Sequence, residues 1–105
     1  MRPCEMGTPE ENKRVVLRRI EALNAGDAEA LARLEHPDFY EHEAEHDDGG
    51  RIDPLDIVAE DDRVVVRARV RGGSAQQVHI WRLAAGLIVE HWCVGDTDDQ
   101  DRGNT

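Results

Sequence analysis

His42-Glu43-Ala44-Glu45-His46 spells H-E-x-x-H, the order with which a helix holds a zinc ion and places a carboxylate as general base. That chemistry needs the helix, because only there do positions i and i+4 bring both imidazoles to one face. Phe39, Tyr40 and Ala44 do not form an apolar stripe, and Phe39-Tyr40 after Pro37-Asp38 reads as the start of a strand. On a strand the two histidines share a face but stand about 13 Å apart at ~3.3 Å per residue, too far to share an ion with bonds of ~2.0–2.1 Å. The segment reads as a polar strand end running into a loop. No metal is expected.

His79 is the stronger chemical candidate. It sits mid-strand on the face opposite Val78 and Ile80, on the side that also carries Trp81. An imidazole lining a cavity can donate, accept or titrate near neutral pH. Glu90 and Trp92 on the next strand join that face if the register sets them opposite Trp81 and His79, and a His–carboxylate pair then supports acid–base work. Arg67, Arg69 and Arg71 alternate on one strand face and read as a solvated surface making cross-strand ion pairs. Cys93 reads as a buried structural thiol.

These residues need elements to hold them. Thr8-Pro9-Glu10-Glu11 is a helix start, with Thr8 as cap, Pro9 in the first turn and Glu11 closing a capping box. Val16, Ile20 and Leu23 recur at helical spacing, and Gly26 suits the left-handed closing residue. Asp27 caps a second helix carrying Ala28, Leu31 and Leu34 that stops before Pro37. Downstream the period becomes 2. Val64, Val66, Ala68 and Val70 alternate with Val65, Arg67, Arg69 and Arg71. Gly72 to Ala75 turns the chain into a strand over 76–83, Ala84-Ala85-Gly86 turns it again, and a third strand runs over 87–94. Ile57-Val58-Ala59 is a short extra strand. The expected domain is α+β, residues 8–96, two helices on one face of a curved antiparallel sheet, with a flexible leader at 1–7 and an acidic flexible tail at 97–105.

Composition removes several functions. Lys and Arg total 13 against 23 Asp and Glu in 105 residues, a formal charge of −10. Nucleic acids and anionic membranes want the opposite sign, and 4% aromatic residues leave no stacking platform for single strands. Cys4 and Cys93 form no disulfide framework, and no apolar run has the length of a signal peptide core or a membrane span. A cytoplasmic protein is expected, with no cofactor.

The segments "ALNAGD", "HPDFY", "QVHIWR" and "GLIVEHW", within Glu11–His42 and Asp56–Asp96, resemble the SnoaL-like polyketide cyclase family. The resemblance implies the cone-like nuclear transport factor 2-like fold. It also implies a pocket on the concave sheet face for a small apolar or polyketide-like molecule. Family members carry a further helical segment after the first strand; here only "EAEHDDGGRIDPL" stands there, so the concave face is expected to need other cover, such as a second subunit. In the cyclases a His on the penultimate strand and an Asp on the last strand work on the substrate. His79 matches that His, whereas the Asp position is Cys93, with Glu90 and Asp96 displaced by three residues on either side.

The first expectation is a small-molecule-binding protein rather than a working cyclase, with His79 as main polar contact and Trp81, Glu90 and Trp92 around it. A second is a small enzyme using His79 for acid–base chemistry, assisted by Glu90 or Asp96. A third is an interaction protein whose sheet face is buried in a homodimer.

Overall fold

A computed structural model describes residues 7–42 and 51–95. The expectations made for most of the leader, for Glu43 to His46, for Asp96 and for the acidic tail lie outside those residues.

Helix α1 (Pro9–Ala25) opens with the full capping box: the Glu11 N–H donates to Thr8 Oγ1 at 3.1 Å, and the Thr8 N–H donates to Glu11 Oε1 at 3.0 Å. It closes on Gly26 at φ 68°, a left-handed position that suits a residue without Cβ. Asp27 caps α2 (Ala28–Leu34) by accepting from the Ala30 N–H at 3.1 Å. Five strands follow: β1 (Glu35–Glu41), β2 (Ile52–Glu60), β3 (Arg63–Val70), β4 (Gln76–Ala84) and β5 (Leu87–Gly95). They form one curved, unclosed sheet in the order β1-β5-β4-β3-β2.

Two details differ from the sequence reading. The sheet is mixed rather than purely antiparallel. From β2 to β5 it is an antiparallel meander, but β1 lies on the far edge and runs parallel to β5. The short strand expected at Ile57–Ala59 is a nine-residue edge strand. Pro54 and the break in register between Pro54 and Asp56 disguised its period. An edge strand tolerates a proline because its missing N–H breaks no ladder bond on the open side.

α1 lies across β2 and β3. Val16 and Ile20 pack on Ile52, Val64, Val66, Ala68, Trp81, Leu83 and Ile88, each fully buried large apolar chain contributing roughly 1.5–3 kcal/mol. Polar clamps fix the helix ends to the sheet. Asn24 Nδ2 donates to the Ile52 carbonyl at 2.8 Å while the Ile52 N–H donates to Asn24 Oδ1 at 3.0 Å, so one side chain imitates a neighbouring strand. At the other end the buried Asn12 donates to the Asp61 carbonyl in the β2–β3 turn at 3.3 Å.

The sheet therefore has a covered face under α1 and an open face. Arg67 and Arg71, with Asp56 and Asp53 across the strands, make the exposed ion pairs that their alternation suggests.

Candidate functional site

Strand period alone decides which side chains meet. Along β4, His79, Trp81 and Leu83 are buried between less buried neighbours, so they lie on the covered face with Val64 and Val66, their partners on β3. β5 begins in phase, with Ile88 fully buried opposite Leu83. Strict alternation from Ile88 would carry Glu90 and Trp92 to the same face. One extra residue intervenes: Leu83 pairs with Ile88 and Arg82 with Glu90, which leaves Val89 as a bulge. A single inserted residue turns every later side chain over. His91 and Cys93 consequently stand opposite Trp81 and His79, and Glu90 and Trp92 stand on the open face opposite Arg82 and Ile80. The register on which Glu90 and Trp92 would have joined His79 is not the one formed.

On the covered face, three strands assemble a chain of polar groups. β1 enters parallel to β5 and sets Glu41 beside His91. His91 Nδ1 lies 2.6 and 2.8 Å from the two Glu41 carboxylate oxygens, and His91 Nε2 lies 2.8 Å from His79 Nδ1. His79 Nε2, at the other end of the chain, lies 2.9 Å from Gln77 Oε1 and 3.9 Å from Cys93 Sγ. His79 and His91 are 8% and 7% exposed. The rings of His79, His91 and Trp81 lie within 22° of parallel, with centroids 4.9–5.3 Å apart, which holds both imidazoles in plane. From α1, Arg19 pairs with Glu35 at 2.8 Å and lies over Phe39.

The proton arrangement follows from the acceptor at the end. Glu41 is acceptor-only when ionised, so His91 donates to it through Nδ1–H. Gln77 Oε1 accepts from His79 Nε2–H, which leaves His79 Nδ1 bare to accept from His91 Nε2–H; with the Gln77 amide turned over, its N–H donates to a bare Nε2 and His79 Nδ1–H donates to His91 Nε2 instead. Burial, then the neighbouring His91 charge, depresses the His79 pKa from 6.5 to about 4, while Glu41 pulls the other way and Arg19 adds to the depression. His79 is thus neutral at pH 7. A proton arriving at His79 Nε2 need not stay there. If Nδ1–H passes to His91, the positive charge rests on His91 against Glu41, and His79 ends neutral with Nε2–H. The Gln77 amide serves both states by turning over: its N–H donates to the bare nitrogen, its oxygen accepts from the protonated one. The arrangement can take up a proton at His79 and store it one ring away, which is the action of a general base.

The open face holds a second His–carboxylate pair. His42, just past β1, stacks on Trp92 at 4.6 Å and 8°, and its Nε2 lies 2.9 Å from Glu90 Oε2. Arg82 donates to the other Glu90 oxygen. The His42 hydrogen bond first, and Arg82 next, hold the Glu90 carboxyl below its usual range. His42 sits on no helix, and among the described residues no group of three or more His, Cys, Asp or Glu is placed to hold a metal ion.

Sequence reasoning missed His91 and Glu41. Each carried a signal, since Phe39 and Glu41 alternate with Tyr40, and His91 alternates with Cys93, but the signal for β5 is legible only once Val89 is read as a bulge. Two surface clefts of roughly 600 and 500 Å³ lie elsewhere, one between α1 and α2 and one at the β2–β3 turn; neither is lined by His79, His91 or Glu41.

No protein-family model matches the sequence, and no curated protein does. Solved structures do match. A nuclear transport factor 2-like protein of unknown function from Cytophaga hutchinsonii superposes with a TM-score of 0.66 at 17% identity, over 81% of this chain and 89% of that one. A candidate polyketide cyclase from Sinorhizobium meliloti gives 0.68 at 18%, over 77% and 94%. A candidate ketosteroid isomerase from Kribbella flavida gives 0.71 at 11%, over 88% and 82%. The fold is nuclear transport factor 2-like. At these identities the likeness is one of fold, and candidate cyclases among the neighbours support the SnoaL-like resemblance read from the sequence. The sheet face covered by α1 carries the Glu41–His91–His79 chain.

Proposed function

We propose that this protein binds a small molecule against the covered face of its sheet and performs acid–base chemistry on it through His79. The observation that carries the reading is the buried Glu41–His91–His79 chain ending at Nε2. A structural histidine needs one partner; two in series, closed by a carboxylate, provide for proton uptake as well. The chemistry that fits is abstraction of a proton from carbon next to a carbonyl, with His79 Nε2 as acceptor. Trp81 holds the imidazoles in plane. Glu90 and Trp92 have no part in this reading, since they stand on the other face.

The test is a thermal-shift and native-mass screen of enolisable carbonyl compounds, followed by hydrogen–deuterium exchange at the carbon next to the carbonyl of any binder. Catalysed exchange that disappears in His79→Gln while binding persists supports the reading. Binding with no exchange in the parent protein reduces it to a binding module, and no binder in either assay removes it.

A second reading concerns association. Tyr40, Val58 and Val94 are 59%, 59% and 60% exposed, and all three lie on the open face with Trp92. A homodimer formed through that face would cover them. Sedimentation velocity decides it: a single species at one chain mass rules the dimer out.

A further inference from the structure

Cys93 stands directly across from His79 in the β4–β5 register, and its Sγ lies 3.9 Å from His79 Nε2. That nitrogen also lies 2.9 Å from Gln77 Oε1, and the ring is oriented through Nδ1, which is tied to His91 and through it to Glu41. A thiol beside a base that is itself oriented by a third group is the arrangement of an activated nucleophile. The usual order is nucleophile, base, carboxylate; here a second imidazole is interposed before the carboxylate. We propose that Cys93 is a nucleophilic thiol served by this proton chain, with an activated acyl compound such as a thioester or aryl ester as its substrate class. The inference rests on the same proton chain as the function proposed above but not on that function's ligand.

The step balances within the chain. With the Gln77 amide turned so that its N–H meets a bare Nε2, the Cys93 S–H proton moves to His79 Nε2 as the His79 Nδ1 proton moves to His91 Nε2, and Gln77 Oε1 then accepts from the new Nε2–H. The products are a thiolate and an imidazolium at His91 held by Glu41, with His79 neutral before and after. Sequential transfer suits a ring whose burial resists charge. The thiolate adds to the carbonyl carbon, the bond to the leaving group breaks, and the leaving group takes the proton from His79 Nε2 as Nδ1 recovers its own from His91. Water then gives a proton to Nε2 by the same route, bonds to the acyl carbon and breaks the C–S bond. Among the described residues, the groups bearing on the titration are His79 on β4, His91 on β5, Glu41 on β1 and Arg19 on α1. Arg19 adds to the depression of His79.

The experiment uses the full chain with Cys4→Ser, which leaves Cys93 as its one thiol. Iodoacetamide labelling followed by intact mass gives a rate at each pH from 5 to 9, and p-nitrophenyl acetate tests for an acetyl adduct. The expected inflection for Cys93 lies at least about one pH unit below the ~8.5 of a free thiol. In Glu41→Gln it moves back up by about a unit, and an acetyl adduct forms in the parent and not in His79→Gln. Circular dichroism checks that each variant folds; if one does not, the parent's own profile still decides. Labelling only after unfolding in urea overturns the proposal, as does an inflection at or above the free-thiol value or one unmoved in Glu41→Gln. A low inflection in a protein that binds no carbonyl compound would leave Cys93 standing and remove the function proposed above. The converse result would do the reverse.

Discussion

The two faces of the sheet carry the same pair of residue types in opposite circumstances. Glu41–His91 is closed at 2.6 Å beneath α1, stacked with Trp81 and continued by a second imidazole. Glu90–His42 is closed at 2.9 Å in reach of water, stacked on Trp92 and shared with Arg82. On the open face every proton exchanged can come from solvent, and the ion pair is screened, so such pairs contribute little. Under the helix a charge has little contact with water and must be matched inside the protein. On the function proposed above, it is the covered pair that stores a proton. Residue type and spacing do not make that distinction; burial does.

The largest expected break between the faces is in the pH dependence of stability. Unfolded, His79 titrates at its ordinary value of 6.5; folded, burial and His91 hold it at about 4. Between those values the unfolded chain binds the extra proton. Stability is therefore complete above pH 6.5 and falls as the pH drops toward 4, by about 3 kcal/mol in all from this residue. Urea melts of parent and His79→Gln at pH 7 and pH 4.5 isolate the effect, with the parent losing more on acidification. Equal losses would mean that His79 is not the group responsible.

Next comes removal of the carboxylates one at a time. Glu41→Gln leaves His91 buried beside a neutral amide and is expected to cost about 2 kcal/mol, whereas Glu90→Gln should leave the urea midpoint almost unmoved. A larger loss from Glu90→Gln would reverse the assignment of the two faces.

The sequence showed some of this contrast and hid the rest for a definite reason. Thr8 with Glu11, Gly26 and Asp27 are local signals, read within four residues, and each stands where its chemistry puts it. The alternation of Val64, Val66 and Ala68 is local too, and it fixes the inward face of β3. His79 and Trp81 follow from the same period on β4. Glu41 meeting His91 is different in kind: fifty positions separate them, and they meet because β1 crosses to the far edge and pairs parallel. Glu90 and Trp92 were placed by a period that Val89 interrupts. A bulge leaves no mark in composition, so the phase of β5 is fixed only by its partners on β4.

A smaller contrast separates the two tryptophans. Trp81 is 3% exposed and packs between imidazoles and core, and Trp81→Phe is expected to lower stability by about 1–2 kcal/mol. Trp92 is half-buried on the open face beneath Arg63, and Trp92→Phe should cost under about 0.5 kcal/mol. Equilibrium melts followed by far-ultraviolet circular dichroism measure both.

The smallest expected effect is ionic. Raising salt from 0.1 to 1 M shortens the Debye length from about 10 Å to about 3 Å, so the His42 and Arg82 resonances should shift as their bonds to Glu90 weaken. Those of His79 and His91 should stay in place. Heteronuclear spectra at the two salt concentrations compare the faces in one sample.

The most direct measurement is the nitrogen-15 spectrum of the histidine side chains as a function of pH, recorded through long-range couplings to the ring protons. The covered-face chain predicts that His79 shows one protonated and one bare nitrogen from pH 8 down to about 4, with a coupling between its Nδ1 and His91 Nε2 across their hydrogen bond. A His79 whose two nitrogens average together and titrate near 6.5, with no coupling to His91, would contradict it.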